Sequence, residues 1–546
     1  MKRTLLLLIA LSVYVHLNAQ QTGLRVYQIL QTNCATASCH TGAAQAGGLD
    51  LEGTGPNDLT RLASLKSSLE FQAPTNATAA SNGNSILYPG RVDKSFLFRK
   101  INEGLEPTLT LEAGEMPSHG DAGLTDVEKE MIRQWILWGT PLTTEVVEES
   151  LLETYYNVGG LQSFPSGPPP APDPSEGIQI KMGPFFVPDV PNANIEVFQK
   201  YEMDFPNDVE VTRVETFMSN FSHHFILYDY NSASDASGQN HGFRFNPDHI
   251  NVGVVKAIQE PTDLKLPQGA AFFWDHDHVL DFNSHYINYV GNVPYAAEVY
   301  LNIYYQDAGN AAQEMQAQVL ANTNICVAPN GDETVFDQII NYPFGDVFVW
   351  GLMGHTHQLG TGYKIWLRES FQQSTLIYDA ACPFGEPGCA SPYFDYQHIP
   401  MRYYEPFLPV TMNFQNGLIH EASYVNNGNS TVCWGPTSED EMMVMVIMYM
   451  NDTTGVITST EEIYNPLQEV KVYPNPMSET SIVELPPDAG TVNFVLYDLI
   501  GRELRRINDI NSPSFAIDRQ QLLSGMYIYR LENEYGQFTS GKLMVE

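Results

Sequence analysis

The sequence predicts a multidomain protein with a small α-helical domain, two antiparallel β-sandwiches and a small C-terminal β-sandwich. Its 546 residues are enough for about three or four domains. Residues 21–145 carry helix signals, whereas residues 178–455 consist of short β-rich runs separated by Asn, Gly, Pro and Asp. A proline-rich stretch lies between these two regions, and it indicates a boundary between domains.

The N-terminus has the three parts of an export signal. Met1-Lys2-Arg3 is basic, Leu5 to Val15 is apolar, and Leu17-Asn18-Ala19 ends in a small residue. The apolar run is shorter than the ~20 residues that a membrane span needs. Residues 1–19 are therefore predicted to be a signal peptide, which would place the mature chain in a compartment that permits disulfides.

The charge of the chain excludes one class of partner. There are 27 basic and 64 acidic residues, which give a net charge of −37. Such a surface repels phosphate backbones, and no basic patch reverses this locally. Nucleic acid is therefore not expected as a partner.

Residues 20–145 are predicted to form the helical domain. Leu24 to Gln31 is an amphipathic run, and Thr125 with Glu128 forms a capping box that opens a helix through Trp135. Residues 146–177 follow as a proline-rich linker, which is expected to be a semi-rigid polyproline segment.

The remainder of the chain is predicted to be β-structure. About 280 residues of short strands fit two sandwiches better than one, with the first at 178–318 and the second at 319–456. Residues 465–546 are expected to form a further small β unit. Its predicted strands lie near 491–497, 526–532 and 538–545.

The six cysteines fall into distinct groups. Two of them precede a histidine and are considered below. The other four could form two disulfides, with three possible connectivities. These four are Cys326, Cys382, Cys389 and Cys433. A local staple between Cys382 and Cys389 is favoured, because a Pro/Gly-rich turn lies between them.

Cys34, Cys39 and His40 have the parts of a c-type haem site. Two thiols would form thioether bonds to the porphyrin, and the adjacent histidine would bind the iron. Four residues separate the cysteines, whereas two are common. The alternative is a plain disulfide beside a surface histidine.

A Met-Pro segment that contains Met116 and precedes the Thr125–Trp138 helix supports the haem interpretation. Helix, Cys…Cys-His, long loops, Met-Pro and a final helix, in this order, resemble the cytochrome c family. The resemblance implies that Met116 is the second axial ligand, which would raise the haem potential. His119 is the rival for that position.

The middle region holds three histidine clusters and a methionine, in a chain with 14 histidines. The residues are His223, His224, His285, His355, His357 and Met442. Alternation in a strand would put His355 and His357 on one face, where they could chelate one ion. Imidazole suits copper, zinc and iron, whereas a thioether added to two imidazoles favours copper.

Spacing alone leaves other interpretations open. Adjacent His223 and His224 would face opposite sides of a regular strand, so joint binding requires a strand end or a bulge. A single His-x-His is also typical of paired surface imidazoles or of a zinc site.

Taken in order, His-His, His-Tyr, His-Thr-His-x-Leu-Gly and Asp-Glu-Met resemble the ascorbate-dependent type II copper monooxygenases. This family includes peptidylglycine hydroxylating and dopamine β-monooxygenases, and the resemblance covers roughly 180–455. It implies two jelly-roll-like copper domains, with C–H hydroxylation at the second copper. The implied ligands are His223, His224 and His285 for an electron-transfer copper, and His355, His357 and Met442 for the oxygen-binding copper.

Several positions depart from the family pattern. Met353 stands where the peptide-amidating members have an Arg that helps to bind the substrate carboxylate. Val444 and Val446 replace an Asn and a Tyr with the same role, and Met443 replaces a disulfide cysteine. A peptide C-terminus is therefore a poor candidate substrate, and a more apolar molecule is favoured.

His276 and His278 form a second His-x-His that competes with His285 as a ligand source. The remaining histidines of the middle region are interpreted as ordinary structural or surface residues. They are His241, His249, His398 and His420.

The C-terminal unit carries four motifs, at Val470 to Pro476, Leu496 to Arg502, Leu523 to Tyr529 and Gly541 to Val545. Together they resemble the C-terminal sorting domain of type IX secretion substrates, and the alternative is a generic fibronectin-like module. The resemblance implies that the type IX secretion machinery is a partner and that this unit has no catalytic role.

These expectations combine into a secreted copper monooxygenase that uses O₂ to hydroxylate a C–H bond of an unknown small organic substrate. Two coppers and one haem c are the expected cofactors. Electrons would come from an external donor, either ascorbate-like or a redox protein, and the fused haem domain could deliver them. The alternatives are a non-catalytic cell-surface redox or copper-binding protein, and a zinc hydrolase, against which Met442 argues.

Overall fold

The structure is a computed structural model. It describes residues 21–36, 39–42, 45–102, 105, 123–219, 221–249, 251–258, 262–342, 345–381, 394–396, 399–435, 439–457, 470–486, 489–498, 503–520, 522–533 and 538–546. Several predictions fall outside these residues. They concern the signal peptide, Met116, His119, Cys382, Cys389 and His398.

Helices occupy the N-terminal part of the described chain. They are α1 (Thr22–Asn33), α2 (Asp58–Leu69), α3 (Ala77–Ser81), α4 (Phe96–Arg99), α5 (Asp126–Leu137) and α6 (Glu149–Glu153), with a 3₁₀ turn at Ala46–Gly48 and a π turn at Thr154–Val158. The predicted capping box is present, because Thr125 Oγ1 accepts from the Glu128 N–H and Glu128 accepts from the Thr125 N–H. Helices α1 and α5 pack together around Ile29, Ile132 and Trp135, which are buried.

The first sandwich contains twelve strands within the described residues. They are β1 (Leu161–Gln162), β2 (Gly177–Val187), β3 (Ala193–Glu202), β4 (Val209–Phe217), β5 (Ser222–Tyr230), β6 (Gly242–Arg244), β7 (Val252–Ile258), β8 (Thr262–Lys265), β9 (Ala270–Trp274), β10 (Val279–Asn288), β11 (Tyr295–Asp307) and β12 (Gln313–Glu314). One sheet has the order β6-β3-β10-β5-β7, and the other has β1-β11-β4-β9-β12 with β2 on β11 and β8 on β4. Phe185 and Tyr286 meet edge to face between the two sheets.

The second sandwich is antiparallel. Its strands are β13 (Gln316–Ala321), β14 (Cys326–Val327), β15 (Glu333–Ile340), β16 (Gly345–His355), β17 (Gly360–Arg368), β18 (Ser374–Asp379), β19 (Arg402–Met412), β20 (Gly417–Val425), β21 (Val432–Cys433) and β22 (Val444–Met450). The main sheets are β13-β22-β16-β19 and β15-β20-β17-β18. Val349, Ile365 and Met445 belong to one buried core between these sheets.

A disulfide joins Cys326 to Cys433 across the short β14–β21 pair. This pairing belongs to the one predicted connectivity that also joins Cys382 to Cys389. The latter two cysteines lie outside the described residues.

The C-terminal unit is a separate compact body. Its strands are β23 (Lys471–Tyr473), β24 (Thr480–Glu484), β25 (Val492–Tyr497), β26 (Glu503–Ile510), β27 (Ser514–Asp518), β28 (Gly525–Asn533) and β29 (Phe538–Val545). They form sheets of order β23-β24-β27 and β26-β25-β28-β29 around a core that includes Phe494, Ile517 and Leu531. The three predicted strands are confirmed as β25, β28 and β29.

The helical region is docked on the first sandwich. The Tyr88 hydroxyl donates to Glu202 at 2.7 Å, and Gln134 Nε2 donates to the Pro184 carbonyl at 2.9 Å. Gly139 and Gly242 bring the two backbones into contact, so a Cβ atom at either position would collide with the other chain segment. The docking therefore depends on close backbone approach as well as on side chains.

The predicted linker differs from a free polyproline tether. Helix α6 lies inside it, and β1 pairs in parallel with β11. Farther along, the carbonyls of Pro169 and Pro170 accept from the side-chain amides of Gln179 and Asn302, each at 3.0 Å. Proline has no N–H to donate, but its carbonyl is still satisfied, and here amide side chains of the sheet satisfy it.

His420 on β20 is a buried structural histidine. The Tyr363 hydroxyl donates to its Nδ1 at 2.6 Å, and its Nε2 donates to Gln338 Oε1 at 2.8 Å. Burial lowers the pKa of His420 to about 4. The ring is therefore held neutral by the sandwich.

We expect this ring to make the protein acid-sensitive. The unfolded chain has a histidine pKa of about 6.5, so between pH 6.5 and about 4 it binds a proton that the folded chain does not. The free energy of unfolding should fall as the pH drops through this window, by on the order of 3 kcal/mol from this ring. Denaturant unfolding at pH 7 and pH 4.5 measures it, and His420→Gln should reduce the difference. An unchanged difference in the variant would contradict the assignment.

Candidate metal centres

The first histidine cluster lies where β5 pairs with β10. His285 lies opposite His224 and Tyr286 lies opposite Ser222, so His223 is an extra residue in β5. In such a β-bulge, two residues of one strand oppose one residue of the other. The alternation that would send His223 and His224 to opposite faces is therefore broken at this point, and both histidines oppose His285.

The bulge brings three imidazoles together. The ring centroids of His223, His224 and His285 are 4.9 to 5.5 Å apart. One nitrogen from each ring lies within 4.8 Å of the other two, which is close enough for one ion to bind all three. Among the residues that the structure describes, this is the only His, Cys, Asp or Glu trio gathered this closely.

Contacts around the cluster fix the orientation of His224, and burial favours the neutral form of His285. His224 Nε2 lies 2.8 Å from Asn283 Oδ1, which accepts its proton and leaves Nδ1 to face Nδ1 of His223 at 3.3 Å. Burial, and then the neighbouring His224, lower the pKa of His285 to about 4. A neutral imidazole can bind a metal without first losing a proton.

The second pair lies at the end of β16 in the other sandwich. The strand ends at His355, and His357 follows two residues later, with ring centroids 5.2 Å apart. His357 Nδ1 donates to the Asp440 carbonyl at 3.0 Å, so its Nε2 carries the free lone pair. Burial lowers the pKa of both rings, and it lowers that of His355 to about 3.

One buried carboxylate, that of Glu441, holds the segments that carry the second set. Oε2 of Glu441 accepts from the backbone N–H groups of His357 and Met442 at 3.1 and 3.2 Å, and Oε1 accepts from that of Leu359 at 2.6 Å. The Tyr424 hydroxyl also donates to the Met442 carbonyl at 2.7 Å. His357 and Met442, which are 85 positions apart in the sequence, are thus attached to the same oxygen atom.

The two sets are neighbours. A Cβ atom at Gly253 in β7 would collide with the Ala317 carbonyl in β13, so the two sandwiches touch along these strands. His224 of the first set also contributes to the lowered pKa of both His355 and His357.

The Cys34 segment forms a closed loop at the end of α1. The His40 N–H donates to the Cys34 carbonyl at 3.3 Å, and His40 Nδ1 donates to the Leu49 carbonyl at 3.3 Å. Neither Cys34 nor Cys39 is in a disulfide, and burial, followed by the nearby Cys39, raises the pKa of Cys34 to about 11. His40 Nε2 therefore carries the lone pair that could bind iron.

The competing His-x-His is not part of either set. His278 stacks on Trp274 and lies 2.7 Å from Asp229 and 3.2 Å from Asp275. His276 is largely exposed, with 63% of its side chain accessible. His278 is therefore engaged in a structural cluster, and His276 lies on the surface.

Two other histidines of the first sandwich also have structural contacts. His249 Nδ1 lies 2.8 Å from the buried carboxylate of Asp281. His241 packs against the rings of Phe71 and Tyr88 at the contact with the helical region.

Asn283 and Glu441 hold parts of the two sets in place through hydrogen bonds, but they were not identified from the sequence. Asn283 lies two positions before His285, so strand alternation places both on one face and could have revealed it. Glu441 lies directly before Met442, and a carboxylate beside a candidate ligand was a visible signal. Its contact with the His357 segment depends on the tertiary fold and has no signal in the sequence.

We expect Glu441→Gln to loosen the segments that carry the second set. An amide offers one acceptor oxygen instead of two and turns an N–H toward a backbone donor, so the variant should lose about 1–3 kcal/mol of stability. Hydrogen exchange followed by mass spectrometry should show faster exchange at the amides of His357, Leu359 and Met442. Glu333→Gln, on exposed β15 of the same sandwich, is the control. Equal exchange in the two variants would show that the Glu441 carboxylate does not hold these segments in place.

Known proteins resemble parts of this chain. The family model for the secretion system C-terminal sorting domain matches residues 471–546, and no model of a copper monooxygenase or a cytochrome c family matches. No curated protein matches the sequence.

The solved structures that match this chain do so at low sequence identity and low TM-score. One match is the glycosylasparaginase PNGase F from Flavobacterium meningosepticum, at 9% sequence identity. The match covers 50% of this chain and 96% of that enzyme's chain, with a TM-score of 0.23. A second match is the STIV MCP, at 8% sequence identity. It covers 50% of this chain and 96% of the STIV chain, with a TM-score of 0.22. A third match is the major capsid protein P2 from bacteriophage PM2, at 6% sequence identity. It covers 52% of this chain and 99% of the P2 chain, with a TM-score of 0.23.

No helix in the described part of the chain is long and apolar enough to cross a membrane. Export is shown by the C-terminal match. Residues 471–546 are a secretion system C-terminal sorting domain, which directs the protein through the type IX machinery to the cell surface or the medium.

Proposed function

We propose that the protein is a copper-dependent monooxygenase that hydroxylates a C–H bond of a small apolar substrate. The observation that carries the proposal is the β-bulge that gathers His223, His224 and His285 beside a second set of two imidazoles and a methionine. The resemblance to type II copper monooxygenases adds support from the order of the motifs along the chain.

The donor atoms fit copper at both sets. Three imidazoles suit copper at the first, and two imidazoles with the Met442 thioether favour copper over zinc at the second. Copper would store one electron at each set and would activate O₂ at the second. In the overall reaction, one oxygen atom enters the C–H bond and the other leaves as water. The reaction takes two electrons from an ascorbate-like donor or a redox protein, and two protons from that donor or from solvent.

The residues around the second set favour an apolar substrate. Met353 and His355 share one face of β16, because they are two positions apart. On the neighbouring β22, Val446 lies opposite Met353 and Val444 lies opposite His355. None of the side chains of Met353, Val444 and Val446 carries a charge that could bind a carboxylate, and desolvating a charged substrate beside them would be unfavourable.

We propose that the helical region binds haem c and delivers electrons to the copper sets. The absence of a disulfide at Cys34 and Cys39 and the orientation of His40 are compatible with covalent haem. Haem would supply one-electron transfer. The docking through Glu202 and Pro184 supports delivery from a fixed position on the first sandwich, rather than by a tethered domain that visits it.

A non-catalytic redox or copper-binding protein remains the alternative function, because the same ligands would serve it. Copper that binds and cycles without substrate-dependent O₂ consumption would favour this alternative. Preferential zinc binding at both sets would instead favour a hydrolase.

The expected metal content is two coppers per chain. Met442→Leu keeps the side-chain volume and removes the thioether, so the first copper should remain while the Cu–S signal in X-ray absorption disappears. O₂ consumption with a panel of small apolar substrates should fall at least about 100-fold, as expected when a reaction-specific interaction is removed. Met443→Leu, the adjacent methionine, is the control. Retention of the Cu–S signal in Met442→Leu would contradict the ligand assignment.

The expected haem attachment is covalent. Acid–acetone extraction of the matured protein should leave haem on the polypeptide, because thioether bonds survive that treatment. A Cys34→Ser/Cys39→Ser double variant should lose it. A Cys34–Cys39 disulfide with no haem, detected by mass spectrometry of the wild type, would exclude this part of the proposal.

A further inference from the structure

Glu196 is a carboxylate beside the first histidine set. It lies on β3, directly opposite His285 in the pairing with β10. Its Oε1 lies 3.3 Å from His224 Nε2 and accepts from Asn283 Nδ2 at 3.0 Å. Glu196, Asn283 and His224 therefore form a closed triangle of hydrogen bonds, in which His224 Nε2 donates its proton to the two side-chain oxygens.

The same carboxylate is in polar contact with the first set only on the side of His224 and Asn283. Burial opposes its ionisation, but the hydrogen bonds from His224 Nε2 and Asn283 Nδ2 favour the ionised carboxylate and lower the pKa of Glu196. One negative charge therefore lies beside His224 and on the strand position opposite His285.

We infer that Glu196 is a positioning residue that orients His224 and tunes the reduction potential of the metal held by the first set. The inference rests on the proposed copper function. By engaging Nε2, the carboxylate leaves Nδ1 of His224 to bind the ion. A fixed negative charge near the ion stabilises Cu(II) more than Cu(I), because the oxidised ion carries one more positive charge. The first copper is thereby made a better electron donor toward the second set.

Two substitutions separate orientation from charge. Glu196→Gln keeps an acceptor oxygen for His224 and removes the charge, whereas Glu196→Ala removes both. Glu333→Gln is the control for the loss of one carboxylate elsewhere. All three are made in the full chain that carries His355→Ala, His357→Ala and Met442→Leu, so that the first copper is measured alone.

The measurements are potentiometric titration and electron paramagnetic resonance of the Cu(II) form. Glu196→Gln should raise the ratio of Cu(I) to Cu(II) affinity at least about tenfold, which for a one-electron couple is about 59 mV. Its Cu(II) spectrum should stay close to that of the parent. Glu196→Ala should show the same rise, together with altered copper hyperfine splitting and weaker Cu(II) binding.

The outcomes distinguish this inference from the proposed function. If the parent binds copper at the first set and Glu196→Gln has the potential of the Glu333→Gln control, the inference is wrong and the proposed function stands. A fall in stability and copper affinity in both Glu196 variants at unchanged potential would show a merely structural role, and would also overturn it. If the parent binds no copper at the first set, the proposed function itself fails.

Discussion

Three backbone N–H groups converge on the carboxylate of Glu441, and the arrangement of the second metal set follows from that convergence. A strand alone would not bring His357 to Met442, because β16 ends at His355 and β22 begins at Val444. Buried backbone N–H groups need acceptors, and this carboxylate serves the N–H groups of two segments, the one after β16 and the one before β22. The candidate ligands are therefore located by main-chain hydrogen bonding rather than by their own side-chain contacts.

The two sets solve the same problem by different means. The first uses an irregularity in strand pairing to place His223 and His224 opposite His285. The second uses a buried charge outside the strands. The two sandwiches that carry these sets touch along β7 and β13. Glu196 is the carboxylate in contact with the first set.

Features set by local sequence could be predicted. The Thr125–Glu128 capping box and the strands of the C-terminal unit depend on residues a few positions apart, and the structure has them as expected. Contacts between distant segments could not be predicted, because nothing in the sequence marks Glu441 as a partner of Leu359 or Glu196 as a partner of His224. The sequence showed that joint binding by His223 and His224 requires a bulge or a strand end, but not that a bulge is present. The pairing register depends on both strands, and the sequence of one strand does not determine it.

The packing of the proline-rich segment was missed for a similar reason. Its composition predicts an extended chain, but composition does not say what the carbonyls of Pro169 and Pro170 meet. The donors to these carbonyls are the side-chain amides of Gln179 and Asn302, which lie on two different strands and come together only when the sheet forms.

The bulge at His223 also links the metal set to the simplest kind of genetic change. A bulge is one extra residue in a strand whose partner continues unchanged. Loss of the single codon for His223 would restore ordinary pairing from Ser222 onward and leave the sandwich with its core, but without the third imidazole. Gain of that codon would do the reverse. A centre of this kind can therefore appear in, or disappear from, an otherwise unaltered β-sandwich by one insertion or deletion.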